Sequence, residues 1–384
     1  MSDIPNGIPL PRANPRLVGH AHAEERLVGA WASGRLPHGW LISGPRGIGK
    51  ATLAYRFARF LLAHGSPSAP ADDGPSMFGD ALPPAVPTSL AIDEGHPVFR
   101  RIAAGAHADL RVIERGPAPE DRNKEPDRQR IQTVIPVDAI RAAGHGMGLT
   151  AGEGGWRVII VDGAEDMNPN AANALLKVLE EPPPRALLML VTHAPGRLLP
   201  TIRSRCCQLR LAPLGSDSVS ELLRTFRADL GEQERRALAG LADGSIGRAL
   251  SLADSDGLSI KRDLIGLLSG LPDLDTMTAH KFADRFTRRE ADAAWRTAVD
   301  LTTRCVADLV ASSARGTSPE SRGYAPDEAA CLIRLQGMAS LDRWVEVWEK
   351  TSRLFAQADS ASLDRKQVML SALGTMESAA RSGV

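Results

Sequence analysis

The run Gly44-Pro45-Arg46-Gly47-Ile48-Gly49-Lys50 limits this chain more than any other stretch. Glycines packed this densely before a lysine suit a loop whose backbone wraps closely around a ligand. Trp40-Leu41-Ile42-Ser43 ahead of it reads as a short buried strand, and Thr52 to Leu61 behind it as an amphipathic helix. Strand, glycine loop and helix in that order make a phosphate-binding P-loop, where backbone N–H groups crowd the phosphates and the lysine reaches the β- and γ-phosphates. Position 51 breaks the pattern. The loop needs a Ser or Thr hydroxyl there to hold Mg²⁺, and Ala51 carries no oxygen. Gly44, Gly47, Gly49, Lys50 and Thr52 are thus candidate nucleotide contacts in a degenerate site without metal. The intact Lys50 leaves weak ATP binding without chemistry open, and no cofactor follows with certainty.

Trp156 to Asp162 is an apolar run ending in a carboxylate, as expected of a parallel strand buried on both faces. Asp162 is the Walker B candidate. A hydrolysing enzyme of this type follows that Asp with a Glu that orients the attacking water, and here Gly163 follows. Glu165 and Asp166 are displaced along the chain, so a substitute base stays open. Thr192 and His193 end the next apolar run, Ala186 to Thr192.

Two further segments carry a resemblance: Asn173-Ala174-Leu175-Leu176-Lys177-Val178-Leu179-Glu180-Glu181-Pro182-Pro183 and Ser204-Arg205-Cys206. The first is a helix stopped by prolines, with Lys177 and Glu181 one turn apart and able to pair. The second sits beyond the strand ending at Thr192 and a loop through Pro195 and Pro200. Together with the P-loop these resemble the bacterial clamp-loader branch of the AAA+ superfamily, over roughly residues 11 to 252. Leu36-Pro37-His38-Gly39 and Gly244-Ser245-Ile246-Gly247-Arg248-Ala249-Leu250 fit the same resemblance, the latter as the sensor-2 segment. Arg248 is either that sensor arginine or a solvated helix residue, and Thr192 and His193 are either sensor-1 residues or, for His193, a loop cap.

The resemblance implies that Arg205 projects into the ATP site of a neighbouring subunit as an arginine finger in trans. It also implies a rigid, non-hydrolysing member of the assembly that loads the ring-shaped sliding clamp onto primed DNA. The implied partners are clamp-loader ATPase subunits of the gamma/tau type and a delta subunit, with the clamp and primed DNA reached through the assembled complex. One alternative is an active clamp-loader ATPase with atypical metal ligation. A DNA-binding motor is the other, and the balanced charge and missing motor residues speak against it.

The 46 Lys and Arg equal the 46 Asp and Glu, so the formal net charge is zero. A chain that gripped DNA alone would carry a basic surplus, which makes protein subunits the expected principal partners. The start, Met1-Ser2-Asp3-Ile4-Pro5, has neither the basic residues nor the apolar stretch of a signal peptide, and no segment is long and apolar enough to span a bilayer. A cytoplasmic location with no membrane partner is the expectation. Cys206, Cys207, Cys305 and Cys331 contain no C-x-x-C pair, so neither a disulfide framework nor a zinc site is expected. Clamp-loader subunits that carry a four-cysteine zinc module have it between the P-loop helix and the next strand. That interval here, residues 66–97, holds no cysteine and reads as a mobile insertion, with His96 structural.

Strands alternating with helices predict an α/β fold, a parallel sheet covered on both faces. His107 to Ile113 reads as a strand, Pro117 to Arg130 as a charged exposed loop, and Ile135 to Arg141 as the start of a helix. The expected domains are an AAA+ nucleotide-type α/β domain over residues 1–212, a small helical lid over 213–254 and an all-α collar over 255–384 that joins subunits. In the last of these, Trp344, Val347, Trp348, Thr351 and Phe355 share one helix face and read as core.

Overall fold

Apolar residues alternate in period two along three strands, and the alternation sets the layers of the first unit. Trp40 and Ile42, Val158 and Ile160, and Leu187, Met189 and Val191 point to one core; Leu41, Ile159 and Val161, and Leu188 and Leu190 point to the other. Both faces of the sheet are buried, so its strands read as continuous apolar runs rather than as a half-wet pattern. Each fully buried Leu, Ile or Phe contributes about 1.5–3 kcal/mol.

The computed structural model describes residues 9–67, 87–118, 121, 131–148, 155–319, 324–361 and 363–382. Most of the expected insertion at 66–97 and of the expected charged loop at 117–130 lies outside these residues. The chain divides into two units, one of Met1–Leu222 with Asp243–Gly247, the other of Leu223–Ala242 with Arg248–Val384. The segment 213–254 expected as a lid is helical and is shared between them.

The first unit runs α1 (Ala21–Ala32), β1 (Gly39–Ser43), α2 (Lys50–His64), α3 (Pro97–Ala103), β2 (Leu110–Ile113), α4 (Val137–Gly148), β3 (Arg157–Asp162), α5 (Pro169–Glu180), β4 (Ala186–Thr192), α6 (Pro200–Arg205) and β5 (Cys207–Arg210), and then enters α7 (Ser216–Phe226). All strands are parallel, in the order β2-β3-β4-β1-β5. α1, α2 and α3 supply one core and α4, α5 and α6 the other, so the α/β sheet covered on both faces is as expected. The strand expected from His107 shortens to its last four residues, because the His107 ring accepts from the Asp109 N–H at 3.2 Å and turns the chain.

α2 departs from expectation. It was expected to be amphipathic, and Thr52 to Leu61 are buried without interruption. The N-terminal arm lies over its outward face: Arg59, 2% exposed, donates to the Arg12 and Asn14 carbonyls at 2.9 and 2.6 Å, and Arg56 donates to the Pro15 carbonyl and pairs with Glu24 at 2.6 Å. The two arginines satisfy backbone oxygens that burial would otherwise strand. Burial and then the neighbouring Arg56 push Arg59 down to about 10, still cationic at neutral pH. Its guanidinium also stacks over the Phe99 ring at 4.7 Å.

The second unit is all helical: α8 (Glu232–Leu241), α9 (Ile246–Asp254), α10 (Gly257–Ser269), α11 (Thr276–Asp284), α12 (Asp292–Arg315), α13 (Pro326–Met338), α14 (Leu341–Ala361) and α15 (Arg365–Ser382). Trp344, Val347, Thr351 and Phe355 of α14 are buried as expected, but Trp348 is 39% exposed. At about 100° per residue Trp348 falls on the margin of the stripe, at the rim of the core. Among the described residues no helix is long and apolar enough to cross a membrane.

Arg59→Met, which keeps the packed stem and removes the donors, should lower the stability of the first unit by about 1.5–3 kcal/mol, the range for hydrogen bonds to a charged group. Urea unfolding would register this as a lower midpoint at unchanged slope.

Candidate functional site

Register brings the candidate residues together. Ser43 at the end of β1 pairs with Thr192 at the end of β4, and Asp162 at the end of β3 pairs with Val191. The P-loop, Asp162 and the Thr192-His193 step therefore share the carboxyl edge of one sheet, where open α/β sheets place ligands. Gly44 leaves β1 with φ +150°, and a Cβ there would press on the Leu211 carbonyl at 2.5 Å.

Three carbonyls of the loop are tied down. Lys50 donates its ammonium to the Pro45 carbonyl at 2.5 Å, the Gly247 N–H donates to the Gly47 carbonyl at 3.1 Å, and the buried His20 donates through Nε2 to the Ile48 carbonyl at 2.7 Å. Gly47, at φ +70°, lies so close to the 244–247 segment that a Cβ would collide with Ser245 Oγ and stand 3.1 Å from the Gly247 Cα. Burial pushes Lys50 down to about 8 against the opposing pull of Asp162 and Glu165. Thr52 is buried in the first turn of α2, and Ala51 beside it presents only a methyl.

Burial, reinforced by Glu114, pushes the Asp162 carboxyl from 3.8 up to about 6, with Lys50 opposing. Glu165 has a fully buried side chain. Although burial opposes it, hydrogen bonds from Thr192 and from the backbone, the His193 N–H included, hold it below the ordinary carboxylate range. The His193 ring gives Nδ1 to Glu165 and accepts from Arg46 Nε on Nε2 at 3.0 Å. Burial lowers the pKa of His193, which suits a neutral ring with its proton on Nδ1. Asp166 pairs instead with Arg115 at 3.2 Å.

Arg205 ends α6, a short helix opened by Pro200 that the sequence had suggested only as loop. Its side chain is 39% exposed, forms an ion pair with Glu180 at 2.8 Å and donates to the Thr201 carbonyl at 3.2 Å. The pairing expected between Lys177 and Glu181 is absent from the ion pairs of the described residues. Glu181 caps α5 with φ −125° and ψ 67°, so it has left the helical spacing that the pairing needs. Arg248 lies in the second unit, where Asp300 engages its guanidinium at 2.7 Å. The expected site residues thus sort into a P-loop edge holding Gly44, Gly47, Gly49, Lys50, Thr52 and Asp162, a surface position for Arg205, and Arg248 in the other unit.

His20, Arg46 and Glu180 were missed as site residues. Arg46 stands inside the glycine motif and Glu180 inside the 173–183 segment, but His20 carries no local signal. All four cysteines are free thiols, and no group of three His, Cys, Asp or Glu side chains among the described residues could hold a metal ion. His96 caps α3 by accepting from the Val98 N–H at 3.2 Å, the structural part expected of it.

Residues 91–215 match the family described as "DNA polymerase III, delta subunit". Over 208 residues the chain is 36% identical to the DNA polymerase III subunit delta' of Pseudomonas aeruginosa, covering 54% of this chain and 53% of that one. With the subunit delta' of Escherichia coli it shares 30% identity over 246 residues, 64% of this chain and 63% of that one. With the subunit tau/gamma of Haemophilus influenzae it shares 28% over 249 residues, 64% of this chain and 31% of that one. The chain therefore spans between about half and just under two thirds of the length of these two delta' relatives. Among solved structures, a gamma-subunit-related protein of Thermotoga maritima aligns with 92% of this chain and 99% of its own at 17% identity and a TM-score of 0.36. The resemblance suspected from the sequence is thus to DNA polymerase III clamp-loader subunits, delta' among them.

The Asp162 carboxyl sets a pH dependence whose sign follows from its raised value. A group that holds its proton more tightly when folded adds stability that is complete below about pH 4 and is lost as the pH rises through about 6. Asp162→Asn should remove that loss, leaving a protein more stable than wild type at pH 7 and nearly level with it at pH 4. Thermal unfolding at the two pH values checks the difference.

Proposed function

We propose that this chain is a delta'-type subunit of a DNA polymerase III clamp loader, one that lends an arginine to a neighbour's ATP and hydrolyses none itself. One contrast carries the reading: Arg205 stands at the surface on a short, fixed helix, while Lys50 points its ammonium at its own loop's Pro45 carbonyl. Catalysis of phosphoryl transfer is nearly all positioning and charge stabilisation. The chain's own edge supplies little of either. Ala51 cannot ligate Mg²⁺, Gly163 cannot orient a water, and the nearby Glu165 is enclosed by Thr192 and His193 rather than open to solvent.

An arginine from outside can do for a neighbouring site what this edge no longer does for itself. Its guanidinium would neutralise charge building on the γ-phosphoryl oxygens of a gamma/tau-type ATPase subunit, the class for which the tau/gamma similarity provides a relative. In this reading residues 255–384 are the collar that joins subunits, Gly44, Gly47, Gly49, Lys50, Thr52 and Asp162 are remnants of a nucleotide site, and the delta subunit, sliding clamp and primed DNA are met through the assembly. The zero net charge supports contact with DNA through the complex rather than through this chain alone.

The isolated chain should hydrolyse ATP no faster than buffer. Turnover near about 1 per second, the low end for phosphoryl-transfer enzymes, would instead favour an active ATPase with atypical metal ligation. In the reconstituted loader, Arg205→Ala should leave assembly intact on gel filtration and slow clamp-stimulated hydrolysis. The loss at the one adjacent site should approach the roughly 10³–10⁵-fold range of arginine fingers, and the total should fall only by that site's share. Arg203→Ala should do much less.

A further inference from the structure

Glu180 and Arg205 form the ion pair at the edge of α5 and α6, and neither is deeply buried, with side chains 49% and 39% exposed. A pair this accessible adds little to folding stability. Its geometry is nevertheless closely supported. Leu179, next to Glu180, is buried, and its carbonyl accepts from the His38 ring at 3.0 Å. Gly39 at the start of β1 comes so near that a Cβ would lie 3.3 Å from the Arg205 carbonyl and 3.0 Å from Leu179 Cδ2. The backbone on both sides of the pair is therefore held by the core, and only the side chains are free to choose.

An arginine on a solvent-facing helix end samples many rotamers, and ordering it costs entropy. Glu180 takes one terminal nitrogen at 2.8 Å and the Thr201 carbonyl takes the other at 3.2 Å. With five N–H donors, the guanidinium keeps some for an oxygen-rich acceptor arriving from outside. Glu180 also ends α5, where the carbonyl end of the helix favours a cation.

The geometry points to Glu180 as a positioning residue that sets the rotamer of Arg205 before the neighbouring nucleotide arrives. This rests on the reading of Arg205 as a finger in trans. It goes further by assigning the finger's orientation to a carboxylate on a different helix. Glu180 touches no phosphate and acts only through the guanidinium it holds.

The test uses the reconstituted loader with Glu180→Gln, Arg205→Ala, their double variant and the charge swap Glu180→Arg/Arg205→Glu. Glu180→Gln should lower kcat at the adjacent site about two- to fivefold, the range set by exposed ion pairs, with KM for ATP and assembly unchanged. Added to Arg205→Ala it should cause no further loss, and the swap should remain as slow as Arg205→Ala. A swap that restores activity, or a Glu180→Gln loss that persists on top of Arg205→Ala, would show a merely structural pair and overturn the inference. If Arg205→Ala is impaired while Glu180→Gln turns over at the wild-type rate, the positioning role fails and the finger stands. Wild-type turnover by Arg205→Ala itself would overturn both, through the finger.

Discussion

The register of β1 against β4 and of β4 against β3 is the constraint on which the first unit depends. Strands buried on both faces have no room for polar side chains along their length, so polarity is forced to their ends. With Ser43 opposite Thr192 and Asp162 opposite Val191, those ends coincide. The glycine loop, the acidic strand end and the Thr192-His193 step meet there because the cores on either side leave them nowhere else to go. A slip of one residue would turn every inward side chain to the opposite face.

That edge carries a connected set of polar side chains. Glu165, His193 and Arg46 form a row from beneath β4 to the tip of the P-loop, and the neutral ring between the carboxylate and the guanidinium is satisfied at both nitrogens. One oxygen of the row, Glu165 Oε2, is buried without a hydrogen-bond partner among the described residues. Lys50, His20 and Gly247 add three donors to the carbonyls of the loop.

Arg205 depends on different physics. Prolines open both α5 and α6, at Pro169 and Pro200, where a missing N–H costs nothing, and they fix where each helix begins. The packing of Leu179 and Gly39 then sets where the helices end. The surface arginine is thus placed by the core on the α5 side of the sheet, separately from the loop's defects at Ala51 and Gly163.

The sequence by itself determined the strands, through their apolar runs, and the P-loop, through its glycines. It also determined the defects at positions 51 and 163, since a missing oxygen or carboxylate is a matter of residue identity alone. Local periodicity carries that information because it is repeated every two residues or every turn. The tertiary structure alone decided that α2 is covered on its outward face by Arg12, Asn14 and Pro15, that His20 holds the carbonyl of Ile48, that Gly247 meets Gly47, that Trp348 falls at the rim of its core, and that Glu180 rather than Glu181 is the acid in an ion pair. Most of these are single contacts between residues far apart in the chain. They repeat with no period and depend on which carbonyls the packed cores leave without a donor, a condition that exists only once the layers have closed.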